Sequence, residues 1–146
     1  MDGLRYVAPA TVDEAVAALA GATGTAKLLS GGTDLLVQLR SGRVRPDLIV
    51  DTKRIPGLIG IKEEDGGFLI GAATSGAMLD EHAALSKAWP GVVEGMELIG
   101  STQVQGRASL VGNLCNASPA ADSVPALIAA RATCVIAGSK GQREAP

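Results

Sequence analysis

A chain of 146 residues, 47% of them apolar, is long enough to bury one modest core or two small lobes sharing an interface, and too apolar to stay disordered. A formal charge of −2 draws it neither to nucleic acid nor to an anionic membrane, and three aromatics, Tyr6, Phe68 and Trp89, cannot build a stacking platform for bases. No apolar run is long enough for a membrane span, and Met1-Asp2-Gly3-Leu4-Arg5 lacks the basic-then-apolar pattern of a secretory signal, so a cytoplasmic location is expected. Cys115 and Cys134, without C-x-x-C spacing, are expected to be reduced, buried thiols.

Thr11-Val12-Asp13-Glu14 reads as a capping box, and Val12, Ala15, Val16 and Leu19 place one apolar stripe on the helix that follows, with Gly21 as its stop. Lys27-Leu28-Leu29 is a strand, residues 30–34 a glycine loop, and residues 35–39 a helix ending near Gly42. With the apolar strand at residues 47–51, the first third forms a βαβαβ unit with a partly parallel sheet. Arg54-Ile55-Pro56-Gly57 has the turn chemistry of a boundary, so residues 1–55 and 56–146 are expected to be separate lobes.

In the second lobe, residues 58–62 and 68–72 flank an Asp65-Gly66 step that favours a hairpin turn with positive backbone angles. A helix is predicted from Thr74 through Leu85, another over residues 91–99 with Val92, Val93, Met96 and Ile99 on one face, and a third over residues 124–130. Residues 133–137 read as a strand and 138–141 as a turn, which leaves residues 142–146 with almost no length to pair. That predicts an unpaired apolar edge and self-association, with Lys140, Arg143 and Pro146 giving little protection.

Two segments can carry chemistry. In Ser30-Gly31-Gly32-Thr33-Asp34, two glycines between a strand and a helix let successive amides converge on a phosphate or pyrophosphate; the same residues also suit a tight turn capped by Thr33 or Asp34. The spacing is neither a P-loop nor G-x-G-x-x-G. Residues 109–122 are too polar and turn-rich for a buried strand and hold short side chains able to bond a ligand, with Asp122 also placed to cap the following helix. His82, among Asp80, Glu81 and Ala83, reads as a solvated helix residue, and one histidine with two distant cysteines supplies no metal site. Any reactive group must come with a cofactor.

Together the segments resemble a known family. Lys27-Leu28-Leu29-Ser30-Gly31-Gly32-Thr33-Asp34-Leu35-Leu36 is similar to the A-G-G-T-D-L-L element of molybdenum hydroxylase flavoprotein subunits, the xanthine dehydrogenase and carbon monoxide dehydrogenase type. Ile99-Gly100-Ser101-Thr102-Gln103-Val104 and residues 107–122 resemble that family's I-G-S-x-Q-V-R-N-R-x-T-I-G-G-N-L-C-N-A-S-P-A-A-D element. Residues 6–15 resemble its start. Val111 stands in place of the first glycine of G-G-N, and Gln105-Gly106 in place of Arg-Asn.

The resemblance implies an α+β, two-lobed FAD-binding domain of the PCMH, or CO dehydrogenase flavoprotein, type: a small βαβαβ lobe and a larger α+β lobe, with the family's C-terminal domain absent. Non-covalent FAD would lie between the lobes. Leu28, Leu29, Ser30, Gly31, Gly32, Thr33 and Asp34 would meet the pyrophosphate. Ile99, Ala108 and Ser109 would line the flavin and diphosphate region, Gly112 and Asn113 would touch it closely, and Asn116, Ser118 and Asp122 would bond the ribityl or ring portion. The implied role is electron relay, from molybdopterin on a large subunit through [2Fe-2S] clusters on a small subunit to FAD and an external acceptor. The alternatives are a non-catalytic assembly module with weakened FAD binding and a stand-alone FAD reductase of the same fold.

Overall fold

The computed structural model describes residues 3–146. Three strands, β1 (Arg5–Val7), β2 (Ala26–Leu29) and β3 (Leu48–Asp51), form a parallel sheet in the order β1-β3-β2, connected through α1 (Val12–Ala20) and α2 (Leu35–Arg40). This is the predicted βαβαβ unit. All four residues of β3 are buried, as a central parallel strand covered on both faces requires, and this explains its unbroken apolar run. Leu48 and Val50, two residues apart, turn to one face, where Ala15, Val12, Ala18 and Leu19 of α1 close a core that Ile55 completes. The capping box fixes where α1 begins: Thr11 Oγ1 accepts the Glu14 amide at 3.1 Å, and Glu14 Oε2 accepts the Thr11 amide at 3.3 Å.

After the turn at Gly57, β4 (Ile61–Glu64) and β5 (Gly67–Ile70) form an antiparallel hairpin. Asp65 and Gly66 take φ of 50° and 76°, the paired left-handed angles of a two-residue turn. The strands are shorter at their outer ends than predicted, because the chain there is held by other bonds. Gly71 packs so closely on Leu58 that a Cβ would stand 2.6 Å from the Leu58 carbonyl carbon. Thr74, fully buried, bonds both polar groups of Gly60: its Oγ1 accepts the amide and donates to the carbonyl, each at 2.9 Å.

Six helices follow: α3 (Gly76–Asp80), α4 (Ala83–Ala88), α5 (Pro90–Glu97), α6 (Thr102–Gln105), α7 (Leu110–Cys115) and α8 (Ser123–Ala129). The single helix predicted from Thr74 through Leu85 is instead two. His82 breaks it and caps the second piece, its Nδ1 accepting the Leu85 amide at 3.1 Å while its ring stands perpendicular to that of Phe68 with centroids 5.8 Å apart. It is therefore a half-buried cap, not a solvated helix residue. Leu79, Leu85, Val92, Val93, Met96, Ala108 and Leu110 form the second core, against which Ile61, Phe68 and Ile70 of the hairpin pack.

Two further expectations are corrected. Cys115 is exposed and Cys134 half-buried, both unbonded, so neither is a buried core thiol. At the end of the chain, β6 (Cys134–Gly138) pairs over its whole length with β7 (Gly141–Ala145). The turn needs only Ser139 and Lys140, because Gly141 enters β7 at φ 98°, and this frees the residues that a four-residue turn would have consumed. The strand at residues 133–137 thus has a partner within the chain.

Replacing Thr74 with valine keeps the shape and strips both bonds to Gly60. An unfolding free energy lower by about 1–3 kcal/mol is expected in denaturant titration; a change below about 0.5 kcal/mol would show that those bonds do not hold the hairpin to the helices.

Candidate functional site

The glycine loop leaves the C-terminal end of β2, beside the C-terminal end of the central strand, which is where open parallel sheets present ligands. Its entrance is tied down from β3. The Thr52 amide donates to the Leu29 carbonyl at 3.1 Å, Thr52 Oγ1 lies 3.1 Å from Ser30 Oγ, and Lys53 Nζ donates to the Ser30 carbonyl at 3.0 Å. Beyond Ser30 the donors of the loop are uncommitted: among the described residues, the amides of Gly31, Gly32, Thr33 and Asp34 have no acceptor. Gly32 sits at φ 79°, the left-handed region that lets successive amides turn toward one point. Asp34 makes no side-chain cap bond to α2, so the turn-and-cap reading has no support from that residue.

Lys53 is itself positioned by Asp51, whose Oδ1 accepts Nζ at 2.8 Å and the Lys53 amide at 2.9 Å, while Oδ2 accepts the Tyr6 hydroxyl at 2.6 Å. Burial alone would raise the Asp51 pKa, but the bonds from Lys53 and Tyr6 outweigh it and hold the carboxyl below its ordinary value. The same bond raises the Tyr6 phenol, since ionisation would set a second anion beside the carboxylate. Sequence reasoning passed over Tyr6, Asp51, Thr52 and Lys53. The available signal was a polar triplet closing a buried parallel strand, at the sheet edge where ligands bind.

The second segment is helical where a turn-rich stretch was expected. Ser109, buried, starts α7 as its N-cap: Oγ accepts the Gly112 amide at 3.0 Å, and a Cβ on Gly112 would stand 2.7 Å from that oxygen. Gly112 therefore has a reason within the chain to be glycine, and Val111 falls in the first turn of a helix, where a side chain is accommodated. Asn113 Oδ1 accepts the hydroxyl of buried Ser123 at 2.5 Å, joining α7 to α8. Asp122 makes no cap bond to α8. Gln105 closes the other flank, donating from Nε2 to the Glu97 carbonyl at 2.5 Å.

The two segments meet at Gly31. A Cβ there would stand 2.6 Å from the Arg107 carbonyl carbon and 3.1 Å from Ala108 Cα, and Arg107 Nε donates to the Gly31 carbonyl at 3.4 Å. This brings Gly31 against Arg107 and Ala108, directly before the Ser109 cap of α7. Leu28 is more than half exposed on its strand, and Leu29 packs behind Gly32. Ile99 is half-buried against the helical core. Asn116, Ser118 and Asp122 lie on the exposed connection from α7 to α8, which turns through Ala117 at φ 52°; Ser118 Oγ accepts the Ala120 amide at 3.2 Å. No bond joins those three to the glycine loop among the described residues.

A parallel sheet whose glycine loop packs against a helical lobe defines a two-lobed α+β protein. Residues 2–146 match the family described as the FAD binding domain in molybdopterin dehydrogenase, and the chain belongs to that family. It is 36% identical over 142 residues to the carbon monoxide dehydrogenase medium chain of Hydrogenophaga pseudoflava, covering 97% of this chain and 50% of that one. To the xanthine dehydrogenase FAD-binding subunit of Escherichia coli O157:H7 it is 34% identical over 146 residues, covering 99% and 50%. The solved carbon monoxide dehydrogenase of Hydrogenophaga pseudoflava superposes with a TM-score of 0.93 at 35% identity, covering 98% of this chain and 50% of its counterpart. The chain spans about half the length of these relatives. Among the described residues no helix is long and apolar enough to cross a membrane.

Because the folded pKa of Asp51 is depressed, its contribution to stability is complete above the unfolded value near 4 and is lost as pH falls through the lower folded value. Asp51→Asn is expected to cost about 1–2 kcal/mol at neutral pH and to flatten the acid limb of the stability curve. Thermal unfolding of both proteins between pH 3 and 7 checks this; superimposable curves would show that Asp51 braces nothing.

Proposed function

We propose that this chain is the FAD-holding portion of a molybdenum hydroxylase. It would receive electrons from [2Fe-2S] clusters on a small partner subunit, supplied by molybdopterin on a large one, and pass them to an external acceptor. The observation that carries this reading is the braced glycine loop, whose four amides have no acceptor among the described residues and which lies against the start of α7. Backbone donors without partners suit a pyrophosphate, and the fit rests on local shape, with no need for a long helix or a cluster of bases.

In this reading residues 1–55 and 56–146 are the two FAD-binding lobes. Gly31, Gly32, Thr33 and Asp34 hold the diphosphate, with Leu28, Leu29 and Ser30 forming the edge that presents them. Ile99, Ala108, Ser109, Gly112 and Asn113 form the opposite wall, where Ser109 and Asn113 act by shaping α7, since their side chains are already bonded to Gly112 and Ser123. Asn116, Ser118 and Asp122 lie further along, exposed, and would meet the ribityl or ring portion, Ser118 with the hydroxyl proton left over from its bond to the Ala120 amide. When bound, FAD supplies the capacity to accept and release electrons singly or in pairs. The protein orients it and limits water around it. Two unbonded cysteines agree with the reducing cytoplasm as its location.

The flavin is held without a covalent bond: His82, the one histidine, is committed to the α4 cap. Acid precipitation of the loaded protein should leave the yellow colour in the supernatant. Gly32→Ala tests the loop, since an alanine is strained at φ 79° and its Cβ would meet Leu29 and Leu36 side chains at 3.0 and 3.1 Å. The free loop relieves a strain on the order of 1–2 kcal/mol by leaving this conformation and FAD binding must restore it, so affinity is expected to be roughly tenfold weaker with circular dichroism unchanged. Unaltered affinity in a folded variant would contradict the assignment of this loop.

A further inference from the structure

Gly31 has a double engagement that neither the turn reading nor the pyrophosphate reading requires. On the side where a Cβ would stand, the backbone of Arg107 and Ala108 fills the space. At its carbonyl, the same Arg107 donates a hydrogen bond from Nε. One residue of the helical lobe thus grips one residue of the glycine loop by main chain and side chain together, across 76 positions of sequence. The remaining supports of the loop, Thr52 and Lys53, come from its own sheet and act on Leu29 and Ser30, before the glycines begin. Among the described residues, no other hydrogen bond joins the glycines to the helical lobe.

We propose that Arg107 is a positioning residue that clamps the glycine loop to the start of α7, so that donors from both lobes meet a single dinucleotide in register. The proposal rests on the FAD reading above. Its physical content is that the loop's outward amides are useful only while their carbonyl side is fixed; a loop free to rock about Gly32 would have to be ordered by the ligand, and that ordering would subtract from affinity. Arg107 does this through the Nε–H bond, not by offering charge to the ligand. The distinction can be tested because glutamine carries its amide nitrogen on Cδ, the same carbon that bears Nε in arginine. Arg107→Gln keeps a donor where Nε stands and removes the charge, whereas Arg107→Met keeps the bulk and removes both.

The test uses the full 146-residue chain in two measurements. FAD titration, followed by flavin fluorescence, should show Arg107→Met weakened roughly three- to tenfold, the equivalent of one hydrogen bond, and Arg107→Gln within about twofold of the native chain. Backbone amide relaxation of the ligand-free proteins should show residues 31–34 with lower order parameters in Arg107→Met and native ones in Arg107→Gln. Should the methionine variant not fold, Arg107→Ala serves as the removal. Equal weakening of the glutamine and methionine variants would overturn the proposal in favour of a charge contact with the ligand. Native affinity and native order parameters in Arg107→Met would overturn it outright. If the native chain binds no FAD, the functional reading fails, while the order parameters still decide whether Arg107 holds the loop.

Discussion

The site depends on a contact that only glycine permits. With no Cβ at Gly31, the backbone of Arg107 and Ala108 comes up against the loop, and the two lobes touch just before α7. Any side chain would hold these segments apart. A seam between lobes is a common place for a cofactor, because each lobe can be rigid on its own core while the ligand sees both. Here Leu48, Val50 and Ala15 supply one core and Leu79, Leu85 and Met96 the other.

On the sheet side, rigidity comes from a chain of bonds running from Tyr6 through Asp51 to Lys53 and Ser30. The buried carboxylate of Asp51 is satisfied by three donors, so its charge stays in place at neutral pH and fixes Lys53. Lys53 and Thr52 then hold the last residues before the glycines. On the helical side, Ser109 and Asn113 brace the backbone in the same way, the first by capping α7 and the second by tying it to α8. Several polar residues of the two motifs thus serve to set the backbone, leaving main-chain amides as the donors offered outward.

Much of the fold was legible in the sequence because it is specified locally. The capping box at Thr11, the Asp65-Gly66 hairpin and the apolar run of β3 each follow from neighbours a few residues apart. The break at His82 was not legible, since the apolar spacing continues through it and only the packing of its ring on Phe68 reveals it. The last hairpin was misjudged by two residues of turn, enough to remove the partner strand from the expected picture. Of the site, the glycine loop and the residues around Ser109 stood out in the sequence, whereas their supports did not. Tyr6, Asp51 and Arg107 act at sequence separations of 45 and 76 residues, and nothing local marks a tyrosine or an arginine as a brace.

The central claim is that the two segments form one ligand site. It is tested most directly by titrating isotopically labelled chain with FAD and following backbone amide resonances. The amides of Gly31, Gly32 and Thr33 and those of Ala108, Ser109 and Gly112 are predicted to shift together, along one saturation curve. Movement confined to one set, with the other unperturbed at saturation, would contradict it.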